Sequence, residues 1–301
     1  MGSSDIRGVE ALWAEFYPAR YRVDSAMIDQ NSHDCRLLIR KASVMDRDNG
    51  FIIVKAAGSG RAYARQELPH AHITALAFDT EETGFELYEH ARKELIRQGY
   101  ENWQFGGDWR HFFPGCPTDF ARLEQFLTKC GMNLEGEPVH DLERDLADYE
   151  PPVEPANGAR PCTEDDRIEL ERFLVREFPG RWHIDTMAKF HSEPDRIIGL
   201  FLYGSCEGFA VTQLDGDLRR YGGAVWSADL GANWGALGPI GVSESIRGQG
   251  FGDRLLAAGL AGLRDLGARR TIIDWTTLVE FYGKHGFEVS RTYRTYLSDL
   301  R

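Results

Sequence analysis

Residues Leu237–Gly252, reading L-G-P-I-G-V-S-E-S-I-R-G-Q-G-F-G, leave few folds open to this chain. The apolar run Leu237–Val242 predicts a short buried strand. After it, Phe251–Gly267 carries Phe251, Leu255, Leu256, Leu260, Leu263 and Leu266 at helical spacing. Between the two lies Arg247-Gly248-Gln249-Gly250-Phe251-Gly252, whose three glycines let several main-chain amides converge with no Cβ in the way. Strand, glycine turn and helix together predict an anion site. The helix start adds unpaired N–H groups and the positive end of its dipole, and Arg247 adds a fixed charge. A plain connecting turn would use the same glycines, so the neighbouring motifs must decide.

Two glycine-loop folds are excluded first. No Gly-Lys-Ser/Thr triplet occurs, as a P-loop needs, and the spacing R-G-x-G-x-G is not the Rossmann G-x-G-x-x-G. Downstream, Thr271–Trp275 predicts a strand and Thr277–His285 a short helix, closed by Gly286-Phe287 and a further strand-like run. Val242, Arg247, Gly250 and Gly252 resemble the acyl-coenzyme A pyrophosphate loop of the GNAT superfamily of N-acetyltransferases, Arg/Gln-x-x-Gly-x-Gly/Ala. Phe281-Tyr282-Gly283-Lys284-His285-Gly286-Phe287 resembles that family's F-Y-x-K-x-G-F. Where the family often has proline two residues after the valine, this chain has Glu244.

The resemblance implies an α/β (α+β) fold, a mixed, mostly antiparallel twisted sheet flanked by helices, with acetyl-CoA as co-substrate and no metal. It implies that Arg247, Gly248, Gln249, Gly250, Phe251 and Gly252 hold the diphosphate. Ile240 and Val242 would bond the pantetheine arm, with an amide near Val242 facing the oxyanion. Tyr282 becomes the general acid; its alternative is a core aromatic. Direct attack by a primary amine follows. An amine of pKa about 8 needs only about 1.4 kcal/mol of deprotonation at pH 7, against about 4.6 kcal/mol for a lysine. Asp274, near the end of the strand that should flank the thioester, is the expected base, with Glu244 as second choice. A hydrogen-bonded turn aspartate is the alternative.

The N-terminal half repeats this order. Residues 9–17 predict a helix, Arg36–Lys41, Gly50–Lys55 and Ile73–Phe78 strands, Glu81–Gln98 a helix closed by Gly99, Asn102–Phe105 a strand and Asp119–Cys130 a helix. Phe126-Leu127-Thr128-Lys129-Cys130-Gly131-Met132 aligns with the Phe281–Phe287 run. Two tandem copies are expected: a degenerate domain over 1–149, a proline-rich linker over 150–159 and a catalytic domain over 160–301. The first copy should be silent, because Asp79–Gly84 offers carboxylates where a pyrophosphate would sit and Leu127 stands at the tyrosine position. Its aromatic insertion Gly106–Pro117 should cover the other domain or a ligand, with Asp108 or Arg110 as a substrate contact in the second case. In the second half, Thr163 should cap a helix ended by Phe178-Pro179-Gly180. Ile197–Tyr203 and Gly208–Leu214 predict a hairpin, and Arg220–Trp226 a strand.

Trp226, Trp234 and Trp275 surround the motifs, as core residues or as faces for a sugar ring. The whole pattern resembles bacterial tandem acetyltransferases of glucosamine and glucosaminides. Another small amine or a peptide amine is the other acceptor class, and a non-catalytic acyl-CoA-binding regulator the other kind of protein. A formal charge of −12 argues against nucleic acid and agrees with a cationic amine. No stretch approaches the roughly 20 apolar residues that span a membrane, Met1–Glu10 lacks a signal-peptide pattern, and Ile6 sits where a myristoylation signal at Gly2 wants Ser or Thr. A cytoplasmic monomer or homodimer is expected. Cys35, Cys116, Cys130, Cys162 and Cys206 read as reduced thiols.

Overall fold

The structure, a computed structural model, describes residues 3–32, 37–42, 48–56 and 70–300; Gly2, Cys35 and Arg36 lie outside them. Packing divides the chain into two units, Met1–His140 with Arg291–Arg301, and Asp141–Ser290.

The first unit contains α1 (Ser3–Phe16), α2 (Ser25–Asn31), β1 (Leu37–Ala42), β2 (Asp48–Ala56), β3 (His70–Phe78), α3 (Glu81–Arg97), β4 (Asn102–Phe105), β5 (Cys116–Pro117), α4 (Ala121–Lys129) and the start of β6 (Asn133–Asp145). Strands β1, β2 and β3 pair antiparallel and β3 pairs parallel with β4, as a helical crossover allows. Continuous apolar runs such as Phe51–Val54 are wholly buried, which is why these strands do not alternate in sequence. Thr80 caps α3 by accepting from the Thr83 amide, and Gly99 follows its end at φ 88°. The aromatic insertion folds into its own unit. Phe113 lies 5.7 Å from Trp13, 5.1 Å from Tyr17 and 5.6 Å from Tyr21, and Phe112 packs edge-on to Trp13. What it covers is therefore the α1 side of the first unit's core.

The second unit contains β7 (Ala159–Pro161), α5 (Arg167–Glu177), α6 (Arg181–Ser192), β8 (Ile197–Leu202), β9 (Ser205–Leu214), α7 (Ser227–Leu230), β10 (Gly235–Val242), α8 (Phe251–Asp265), β11 (Arg270–Thr276), α9 (Val279–Gly283) and the start of β12 (Glu288–Asp299). It repeats the first: β8, β9 and β10 pair antiparallel, α8 crosses over, and β11 pairs parallel with β10. Helix α8 buries Leu255, Leu256, Leu260 and Leu263 against β9 and β10. Gly259 lets it approach closely, since a Cβ there would stand 2.6 Å from Leu237 Cδ1. Leu260→Ala is expected to cost about 2–5 kcal/mol, read as a fall in the urea midpoint of the second unit's transition.

Three expectations change. The limits at 149 and 160 fall inside the second unit, where Tyr149 and Ala156 are buried in its core and the Ala156 amide donates to Arg254 O; apolar contacts tie down what composition reads as a linker. From Arg291 onward the last strand packs with the first unit, Leu297, Ser298 and Asp299 pairing with Gln104, Trp103 and Asn102. Arg220–Trp226 is not a strand. Gly222 and Gly223 turn it into a 3₁₀ segment, Gly222–Trp226, against β11.

Among the described residues no helix is long and apolar enough to cross a membrane, and no three His, Cys, Asp or Glu side chains gather as metal ligands. Cys116, Cys130, Cys162 and Cys206 are free thiols.

Candidate active site

Strand β10 keeps two different partners for different lengths. Its parallel pairing with β11 covers Gly235↔Thr271 and Ala236↔Ile272, whereas its antiparallel pairing with β9 continues to Val242↔Gly208. The register with β9 shifts between Leu237 and Ile240, across Gly238 at φ 152° and Pro239, which has no N–H to give a ladder. The bulge carries β10 away from β11, so Ile240 and Val242 are held by β9 on one edge and face the gap with the other.

The loop that follows keeps its glycines open. A 3₁₀ turn, Glu244–Ile246, leads to Gly248 at φ 75° and Gly250 at φ 80°, the left-handed residue from which α8 starts. Built Cβ atoms at Gly248, Gly250 and Gly252 meet nothing within 4 Å. The first-turn amides of α8 have no acceptor within the helix, so the open side of the loop presents donors and the positive dipole end together. Arg247 lies along the loop, its Nε donating to Val242 O at 3.3 Å and its guanidinium 5.9 Å from the Phe178 ring. Gln249 Nε2 donates to Ser245 O.

Asp274 lies on β11 just beyond the point of parting. A Cβ on Gly222 would stand 2.5 Å from its Oδ2, and one on Gly238 3.5 Å from Oδ1, so the carboxylate lies over the 222–226 turn and faces the bulge of β10. Tyr282 sits on α9 with its ring buried beside Phe281 and Phe287. Burial first, and the negative charge of Asp274 second, raise its pKa above the ordinary tyrosine value. The two groups therefore sense each other across the site, and Tyr282 holds its proton throughout the neutral range.

The other expected residues are placed as follows. Glu244 is exposed, and its amide donates to Glu177 Oε2 at 3.0 Å. Trp226 and Trp234 are 1% and 2% exposed, which makes them core residues and leaves no ring face for a sugar. Trp275 is part-exposed, with the Arg181 guanidinium 4.2 Å over its ring. Asp108 belongs to the first unit and is 0% exposed, with Lys55 Nζ donating to it at 2.6 Å; a group so enclosed is committed to the insertion's own fold.

Residues not singled out from sequence complete the site. Phe178 packs on the main chain of β10, where a Cβ on Gly241 would come 2.4 Å from its ring. Arg181 opens α6, a helix hidden in the sequence because Pro179-Gly180 reads as a stop and Gly180 offers no side-chain cap. His285 is buried between α8 and α9. A carboxylate only accepts, so His285 Nε2–H donates to Asp253 at 2.8 Å, and Tyr149 OH pairs with Nδ1 at 2.7 Å. That chain fixes the first turn of α8, next to the glycine loop.

Comparison with known proteins agrees with this geometry. Residues 167–287 match the profile described as "Acetyltransferase (GNAT) family". That segment belongs to the GNAT acetyltransferase family. The GNAT segment covers α5 through α9 and so includes the glycine loop, Asp274 and Tyr282. The chain is 25% identical to a mycothiol acetyltransferase of Corynebacterium efficiens, over 78% of this chain and 83% of that one. Its fold resembles a GCN5-related glucosamine N-acetyltransferase region of a fungal multi-domain GH3 β-N-acetylglucosaminidase, with TM-score 0.83, 20% identity and 99% of this chain covered; the chain spans 37% of that protein. A tandem GNAT protein of the clavulanic acid biosynthesis pathway gives TM-score 0.66 at 14% identity, covering 100% of this chain and 96% of that one. These likenesses support an acyl-CoA-dependent acetyltransferase, acetyl-CoA being the co-substrate of the family that residues 167–287 match.

Proposed function

We propose that the second unit transfers the acetyl group of acetyl-CoA to the primary amine of glucosamine or a glucosaminide, by direct attack in a ternary complex. The observation that carries this reading is the gap where β10 leaves β11, with the glycine cradle at its mouth and Asp274 and Tyr282 coupled electrostatically beside it. In the proposed reaction Arg247 and the amides of residues 248–252 hold the diphosphate, and the free edge of β10 at Ile240 and Val242 bonds the pantetheine. Asp274 takes a proton from the amine, whose nitrogen attacks the thioester carbon. The tetrahedral intermediate, its oxyanion facing an amide near Val242, then collapses by breaking the carbon–sulfur bond, and Tyr282 protonates the leaving thiolate. A tyrosine of pKa about 10 is already about 2 kcal/mol uphill of a thiol at about 8.5, and the raised value of Tyr282 adds to that cost while ensuring that the proton is present.

The amino-sugar assignment rests on the likeness of the whole chain to the glucosamine N-acetyltransferase region and on Trp275, a part-exposed residue next to Asp274 on β11. The first unit is proposed to be catalytically silent. Its chain passes from β3 to α3 through Asp79 and Thr80, whose hydroxyl already caps the helix, and Leu127 is buried on α4 where Tyr282 stands on α9. The test is release of free thiol from acetyl-CoA with glucosamine, glucosaminides, polyamines and peptides. Amino sugars should give the largest kcat/KM, and turnover confined to peptides would reject the substrate. Tyr282→Phe should lower kcat about 10²–10⁴-fold at unchanged acetyl-CoA affinity, consistent with loss of one general acid, and an unaltered kcat would remove that role.

A further inference from the structure

Asp141 is 0% exposed, and its two carboxylate oxygens hold two different elements. Oδ1 accepts the main-chain N–H of Trp275 at 3.2 Å, and Oδ2 accepts the indole N–H of Trp226 at 3.1 Å. Trp226 ends the 222–226 turn, and Trp275 is the residue after Asp274 on β11. The turn and the strand joined by Asp141 are therefore the same two that wall the carboxylate of Asp274.

Trp275 also needs a restraint. Its φ of 44° is a left-handed conformation that a bulky L residue adopts only when its surroundings impose it. The Asp141 bond fixes its amide, while Arg181 covers its ring at 4.2 Å. A carboxylate buried this deeply is retained where donors compensate it, and the Trp226 and Trp275 donors belong to the walls of the site.

We propose that Asp141 is a positioning residue for the acceptor side of the active site. It sets the width of the Asp274 slot and the turn of Trp275, and does not itself touch a reacting atom. This rests on the reading of Asp274 as the base. In Asp141→Asn the side-chain shape is kept, but the amide NH₂ must face one of the two N–H donors, so one wall is released.

The test uses the full chain and thiol release from acetyl-CoA with glucosamine, or with whichever amine of the panel turns over fastest. Asp141→Asn should lower kcat about 10–100-fold, the size of effect that a misplaced reacting group produces, with acetyl-CoA affinity kept within about threefold. Trp226→Phe, which removes only the indole donor to Oδ2, should lower kcat about 3–10-fold, being the smaller disturbance. In the double variant the opposing donor is gone, so its kcat should rise above that of Asp141→Asn alone, a rescue that a purely structural role does not produce. Asp274→Asn run alongside separates the two readings. If it is impaired while Asp141→Asn keeps full kcat, positioning is overturned and the base stands; if Asp274→Asn itself keeps full rate, both fall. Equal loss of kcat and coenzyme affinity in Asp141→Asn also overturns positioning. Should that variant not fold, an undiminished kcat in Trp226→Phe has the same force.

Discussion

Gly250→Asp is expected to abolish binding of acetyl-CoA, weakening it at least about 100-fold while leaving the fold in place. Gly250 combines φ 80° with open space where its Cβ would stand. Aspartate tolerates the left-handed region better than most residues, so the backbone penalty stays small. The new carboxylate, however, enters the side of the loop where the diphosphate would meet the first amides of α8, and opposes it with a like charge. At a coenzyme concentration of 100 Kd, binding stabilises the folded state by about 2.7 kcal/mol. The stabilisation by acetyl-CoA should therefore shrink to about 0.4 kcal/mol or less in the variant, and the thermal shift with it, while its melting temperature without coenzyme changes little. A shift equal to that of the wild-type chain would place the diphosphate elsewhere.

Asp274→Asn carries the second large effect. The amide keeps the shape that fits over Gly222 but cannot take a proton, and loss of a general base typically costs about 10²–10⁴-fold. The magnitude reports on the acceptor. With an amine of pKa about 8, roughly a tenth is already neutral at pH 7, so the loss should lie near the lower end of that range; an amine of about 10.4 should suffer the larger loss. The pH profile gives the sign. Without a base, the rate follows the neutral amine and should rise about tenfold per unit as pH increases toward the amine pKa. Tyr282, held above its ordinary value by burial and by Asp274, stays protonated over that interval and contributes no falling limb there. Removing the Asp274 charge takes away one of the two causes that raise Tyr282 and leaves the larger, burial, in place. Full activity in Asp274→Asn at pH 7 would leave Glu244 or solvent as proton acceptor.

The strand at Leu237–Val242, the glycine turn and α8 are legible in order because each is a local pattern: an apolar run, three residues without side chains, and leucines at a helical period. The capping box of Thr163 with Asp166 and the close of α3 at Gly99 are legible for the same reason. The Tyr282 motif is local as well, so the residue proposed as the acid lies within seven neighbouring positions.

Other features depend on residues far apart in the chain, and local pattern is silent about them. Helix α6 lacks a side-chain cap and follows Pro179-Gly180, so nothing announces it; it is made by packing, Phe190 and Met187 sharing a core with Phe173 and Phe209. Tyr221-Gly222-Gly223 has the composition of a strand end but becomes a turn because Asp274 and Ile272 press against it from β11. Tryptophans read as sugar faces are buried because Trp226 answers to Asp141 and Trp234 to the core. Short-range preferences of the backbone thus establish the glycine loop and the crossover helix. Which carboxylate faces the gap, which aromatic ring stays part-exposed beside it and which packing unit holds the last strand are set by contacts between distant segments, whose energies depend on burial and pairing that no window of sequence contains.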